Sequence, residues 1–294
     1  MAASPGVQRT SQTGLSVATL VVMAVLIALA GIATHASRTD ASSFPDHDSS
    51  SPIASSSRVK VVIVVGPVGR LTNPWKREAR QLARQARRYG ARVREIYSPR
   101  ATWSRVREAS KGADLFVYFG HGNGWPSPYG PFQTRTKNGL GLNARLGRGN
   151  NNVRYVGERY LRGLKLRQGS IVLLAHLCYS AGNSQPGMAR PNLRTARKRV
   201  DYYAGGFLRA GAQAVFAETH GRAGYLLRGL FHSRKTLRQI FWSSPTATPR
   251  YQIRFNPRRS PRWASALMDP RKRGDYRRSV VGRLDTRAAV WRKS

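Results

Sequence analysis

Residues 113–124, ADLFVYFGHGNG, and residues 170–182, SIVLLAHLCYSAG, follow one pattern: an unbroken apolar run that ends at a chemically able side chain. The first run ends at His121-Gly122 and the second at Cys178, the only cysteine of the chain. Continuous β-branched, aromatic and leucine-rich runs of this length suit strands buried on both faces. Such strands belong to parallel sheets, whose carboxyl ends open on one edge where ligands collect. A thiol and an imidazole far apart in the chain can meet there, as a cysteine nucleophile with a histidine base requires.

Strands and helices alternate on either side of these runs. Val61–Val65 reads as a first buried strand. PWKREARQLARQARRYG, residues 74–90, spaces Ala79, Leu82, Ala83 and Ala86 for one helical face and stops at Gly90. ARVREIYSP is a second strand with Val93, Ile96 and Tyr97 as core formers. Thr102 is placed to cap a helix to about Lys111 that buries Trp103 and Val106. The Gly/Pro/Asn-rich segment 123–152 reads as loop or hairpin. Helices are expected around 156–165, over RVDYYAGGFLRAG from Arg199 through Leu208, and over 225–241, with AQAVFAETHG as a fifth strand after the Cys178 run. This order predicts a three-layer α/β/α sandwich with a mostly parallel sheet over residues 58–242.

The flanks differ. Residues 15–34, LSVATLVVMAVLIALAGIAT, carry no charge, enough for a helix to cross the hydrocarbon core. They are expected to form a hydrophobic transmembrane anchor or a signal segment, with Ala28-Leu29-Ala30 or Thr34-His35-Ala36 as possible cleavage sites. Residues 1–14 would then be a cytoplasmic or leading region, and the rest would be exported, membrane-bound or secreted. Residues 35–57, rich in Ser, Asp and Pro, read as a disordered linker. Residues 243–294 lack the alternation and read as a basic Arg/Pro-rich extension; RRSVVGRL within it is either an edge strand or part of a solvated tail.

The net charge of +38 implies attraction to acidic polymers and lipid surfaces. The basic residues are dispersed without interleaved aromatic platforms, which argues against sequence-specific nucleic-acid recognition. One cysteine excludes an intramolecular disulfide framework and leaves a thiol that is either a buried small hydrophobe or reactive.

The two motifs resemble the caspase–gingipain–legumain group of cysteine peptidases, in which a hydrophobic strand ends in His-Gly and a later one ends at the catalytic cysteine. The matching residues are Phe116–Gly120 before His121-Gly122 and Ile171–Leu177 before Cys178; Leu177 departs from the small residue many members carry there. The resemblance covers roughly residues 60–235 as strand–helix order. It implies a caspase-like fold, peptide or protein substrates, Cys178 as nucleophile, His121 as general base and acid, and the Gly122 and Cys178 amides as oxyanion hole. It implies no cofactor. Trp125 and Tyr129 are candidates for a substrate-binding wall.

Two alternatives stand beside this reading. His121, His176, Cys178 and His220, with Glu218, could offer ligands to zinc, though no HExxH or paired CxxC spacing is present. The plainer roles are a hydrogen-bonded His176 in the sheet layer and a turn-capping His220. The other alternative is a catalytically inactive surface or scaffold module that binds anionic polymers through its charge.

Overall fold

The computed structural model describes residues 59–220 and 223–293. The segments expected as leading region, hydrophobic helix and linker (1–14, 15–34 and 35–57) lie outside the described residues. Among the described residues, no helix is long and apolar enough to cross a membrane.

In chain order, β1 (Lys60–Val65) leads to α1 (Thr72–Arg88), β2 (Arg92–Tyr97), α2 (Trp103–Ser110) and β3 (Leu115–Phe119). A hairpin of β4 (Leu140–Asn143) and β5 (Val153–Val156) follows, then a 3-10 segment Glu158–Leu164 and β6 (Ser170–Ala175). Next come α3 (Leu193–Arg209), β7 (Ala212–Glu218), α4 (Gly224–His232) and α5 (Leu237–Trp242). The chain closes with β8 (Ile253–Phe255), β9 (Ser265–Pro270), β10 (Tyr276–Gly282) and α6 (Ala288–Lys293).

Eight strands form one sheet in the order β2-β1-β3-β6-β7-β10-β9-β8. The first five are mutually parallel, and β10, β9 and β8 join antiparallel to their neighbours. The pleat divides each central strand between two cores. Val61, Ile63 and Val65 pack with Ala79 and Leu82 of α1, Leu226 of α4, Ile240 of α5 and Trp291 of α6. Val62 and Val64 face the other way, toward Val106 of α2, Leu161 of the 3-10 segment and Phe207 of α3. The α/β expectation holds, with a mixed sheet replacing a mostly parallel one.

Several local expectations hold and others shift for identifiable reasons. The four apolar positions expected on α1 are all buried, and Gly90 ends that helix at φ +82°. The helix expected around 156–165 is a 3-10 segment. Thr102 occupies the N-cap of α2, but its side chain accepts no backbone amide. α3 begins earlier than expected because the Asn192 side chain accepts from the Thr195 amide at 2.8 Å. The helix expected over 225–241 is broken in two. The Ser233 hydroxyl donates to the Gly229 carbonyl, and a capping box of Thr236 and Gln239 starts α5.

The largest correction concerns residues 243–294. They are no separate basic extension, since β8, β9 and β10 continue the main sheet and RRSVVGRL supplies most of β10 beside β7. The decisive residue is Arg278, whose side chain is only 3 % exposed. It pairs with Glu218 at 2.8 Å and with Asp269, donates to the Phe241 carbonyl, and lies over the Tyr225 and Phe241 rings. A charge run reads as solvated until the carboxylates that bury it are known, and these come from two other strands.

Candidate active site

β3 and β6 are hydrogen-bonded neighbours, with Phe119 opposite Ala175. Their extensions past the sheet edge carry His121 and Cys178 into one cleft of about 1080 Å³. Glycines bring the two segments into main-chain contact. A Cβ on Gly122 would lie 2.2 Å from the Cys178 carbonyl oxygen, and one on Gly124 would lie 2.3 Å from the Tyr179 Cβ. Neither glycine has a positive φ, so close approach alone demands the missing side chain.

The His121 main chain is pinned from the hairpin: its carbonyl accepts from the Gly141 amide at 3.2 Å and from the Tyr118 hydroxyl at 3.3 Å. On the other side, the turn that carries Cys178 is held between His176 at φ +59° and Tyr179 at φ +71°. Such left-handed non-glycine residues cluster where surrounding contacts over-determine the backbone. Arg199 of α3 helps to do so. It stacks over the Tyr179 ring at 4.8 Å and donates to the Pro126 and Asn183 carbonyls and the Ser184 hydroxyl.

Electrostatics set the resting state. Burial pushes the Cys178 thiol up to about 11, offset only in part by its own backbone amide. The His121 imidazole is open to solvent on one side, and the protein walling its other side strips enough hydration to lower its pKa. Burial thus favours the neutral form of both groups, a thiol and an imidazole. The Gly122 and Cys178 amides donate to no main-chain carbonyl and to no other side chain among the described residues. The Gly122 amide is a free donor, and the Cys178 amide faces only its own sulfur, so both are available to a ligand oxygen.

The other expected residues divide. His220 and Tyr129 line the cleft with His121, Cys178 and His176, whereas Trp125 does not. Trp125 packs toward Phe132, and its amide donates to Asn138 Oδ1. Tyr129 is 50 % exposed at the rim, its hydroxyl accepting from Gln185 Nε2. Lys137, a cleft residue without a signal in the sequence, is buried, and its ammonium donates to Asn123 Oδ1, Ser127 Oγ and the Tyr129 carbonyl. Burial lowers its pKa.

His176 is hydrogen-bonded, as its plainer reading expects. Its Nε2 faces Glu78 at 2.8 Å, its Nδ1 faces the Thr219 carbonyl at 3.3 Å, and its ring stacks on Trp75. The left-handed turn at His176 breaks the strand alternation that would have put it on one face with Cys178. His220 Nδ1 meets the Thr219 hydroxyl at 2.7 Å. Burial, with Arg277 next in effect, lowers the His220 pKa. Glu218 is committed to Arg278 and Tyr225. Among the described residues, no three His, Cys, Asp or Glu side chains converge as a metal ion requires. His121, His176, Cys178 and His220 therefore share a cleft without forming a ligand set.

No protein-family model matches the chain, and no curated protein does. Among solved structures, it is similar to a secreted C11 cysteine protease from Bacteroides thetaiotaomicron, solved in complex with an irreversible peptide inhibitor. The identity is 9%, the TM-score 0.35, and the likeness covers 72% of this chain. The chain spans 66%, just under two thirds, of that protein.

Proposed function

We propose that this is a cysteine-peptidase-like hydrolase that uses Cys178 and His121 on peptide bonds, exported and tethered to or released from a membrane through residues 15–34. The observation that carries the reading is the contact of the His121-Gly122 and Cys178 main chains at the carboxyl ends of adjacent parallel strands, inside a large cleft.

The chemistry follows from a neutral pair. The thiol adds to a peptide carbonyl as its proton passes to the His121 imidazole, so the S–C bond forms while the carbonyl electron pair moves onto oxygen. The Gly122 and Cys178 amides receive that oxyanion. His121 then gives its proton to the departing amine as the C–N bond breaks. Water next attacks the thioester, its proton again moving to His121, and the carboxylic acid leaves as the thiol is restored. No cofactor enters the sequence. The lowered His121 pKa keeps the base neutral below its ordinary range of about 6.5.

The test is hydrolysis of a fluorogenic peptide-amide library by the wild type and by Cys178→Ala. Wild-type turnover that vanishes in the variant is the expected result; equal rates would sink the proposal.

A second reading is favoured by the same thiol. A cysteine held neutral up to about 11, in a chain of net charge +38, suits a catalytically silent module that binds acidic polymers. That reading expects Cys178→Ala to keep full affinity for a polyanion such as heparin, with binding that falls steeply with salt.

A further inference from the structure

Three phenols lie within electrostatic reach of the Cys178 thiol: Tyr155, Tyr179 and Tyr203. Two have their hydroxyls engaged. Tyr203 donates to the Gly139 carbonyl at 3.2 Å and accepts from the Asn123 amide, and Tyr179 donates to Gln185 Oε1 at 3.5 Å. The Tyr155 hydroxyl has no hydrogen-bond partner among the described residues, although the ring is half-buried in the cleft wall.

Tyr155 stands opposite Gly141 in the β4–β5 ladder. A Cβ on Gly141 would lie 3.0 Å from the His121 Cβ and 3.3 Å from Tyr155 Cε1, so Tyr155 and His121 flank the same bare stretch of main chain. An unengaged donor beside the base, in the wall of the cleft that also holds the nucleophile, is available to the reacting group. From this arrangement we propose that Tyr155 is a catalytic residue: its hydroxyl donates a hydrogen bond to the oxygen that becomes negative when Cys178 adds to a substrate carbonyl. The inference rests on the thiol-hydrolase reading above and adds a third donor to the two amides.

The step balances without a further reactant. The O–H bond of Tyr155 stays intact, the thiol proton goes to His121, and the carbonyl π pair is the charge that the phenol stabilises. Burial raises the Tyr155 pKa above its ordinary value of about 10, so the hydroxyl keeps its proton, as a donor must, through the neutral range.

Tyr155→Phe keeps the ring and removes the donor. Two rates separate its roles: hydrolysis of the fluorogenic peptide amides, which passes through an oxyanion, and alkylation of Cys178 by iodoacetamide, which does not. The expected result is a fall in kcat of about 100-fold, with KM little changed, and an alkylation rate equal to the wild type. Hydrolysis at the wild-type rate would remove Tyr155 from the mechanism and leave Cys178 and His121 untouched. A parallel fall in both rates would assign the phenol to positioning and overturn the donor role. Wild-type hydrolysis no faster than that of Cys178→Ala would overturn the hydrolase reading, and Tyr155 with it. Circular dichroism of the variant guards against misfolding as the cause of any loss.

Discussion

The adjacent ends of β6 and β7 treat buried polar groups in opposite ways. Past β7, Arg278, Glu218, Asp269 and Tyr225 bind one another, and Glu218, although its pKa is raised by burial, remains tied to a guanidinium. In the cleft past β3 and β6, the half-buried Cys178 thiol meets only its own amide, and the Gly122 amide and the Tyr155 phenol have no partner among the described residues. The satisfied cluster locks antiparallel β10 onto the parallel strands. The unsatisfied one faces a cleft. A protein tolerates vacant donors where a ligand completes them, and elsewhere the desolvation cost of each removes it.

The sharpest way to break this contrast is at His121. If the vacant cluster is catalytic, His121→Ala should lower peptide hydrolysis by about 10³-fold or more while thermal stability stays close to wild type. A smaller loss, or one accompanied by unfolding, would make His121 a packing residue. At the satisfied end the expectation is reversed. Arg278→Met leaves Glu218 and Asp269 buried without their cation, and should cost about 3–5 kcal/mol in urea unfolding. A change under about 1 kcal/mol would mean that solvent reaches the carboxylates.

A third prediction concerns the seam between β3 and β6. Gly122→Ala sets a methyl group against the Cys178 carbonyl, which is main chain and cannot swing aside, so a loss of about 1–3 kcal/mol is expected by thermal unfolding, together with loss of activity. Unchanged stability would show that the segments separate easily.

The smallest effect is the pH dependence from Cys178. Its folded pKa, about 11, lies above the ordinary value of 9.0, so the folded state retains a proton that the unfolded chain releases. The stabilisation is complete below about pH 9 and declines as pH rises toward 11. Cys178→Ser should flatten that decline; an identical alkaline slope in both proteins would place the thiol in solvent.

Much of this was legible in order along the chain. The apolar runs ending at His121 and Cys178 read as strands because short continuous apolar runs bounded by turn residues suit strands buried on both faces, and both side chains do reach one cleft. Tyr155 and Lys137 were not legible, because the hairpin strands are only four residues long inside a Gly/Asn-rich segment, and their residues gain meaning only when folded back over the sheet edge. The distinction between Tyr129 at the rim and Trp125 turned aside was hidden for the same reason.

Local pattern by itself determined which segments become strands and helices of the parallel half, since hydrophobic periodicity and glycine stops act within a few residues. It also determined the candidate pair, because both residues follow directly from strand ends. Only the tertiary structure decided where charges go. It paired Arg278 with carboxylates from β7 and β9, turned a basic tail into three strands, and placed Glu218 with an arginine and Tyr155 in the cleft that holds the thiol. The reason is range: burial patterns are set by neighbours in sequence, whereas the partner of a buried polar group is chosen by whichever distant element folds against it.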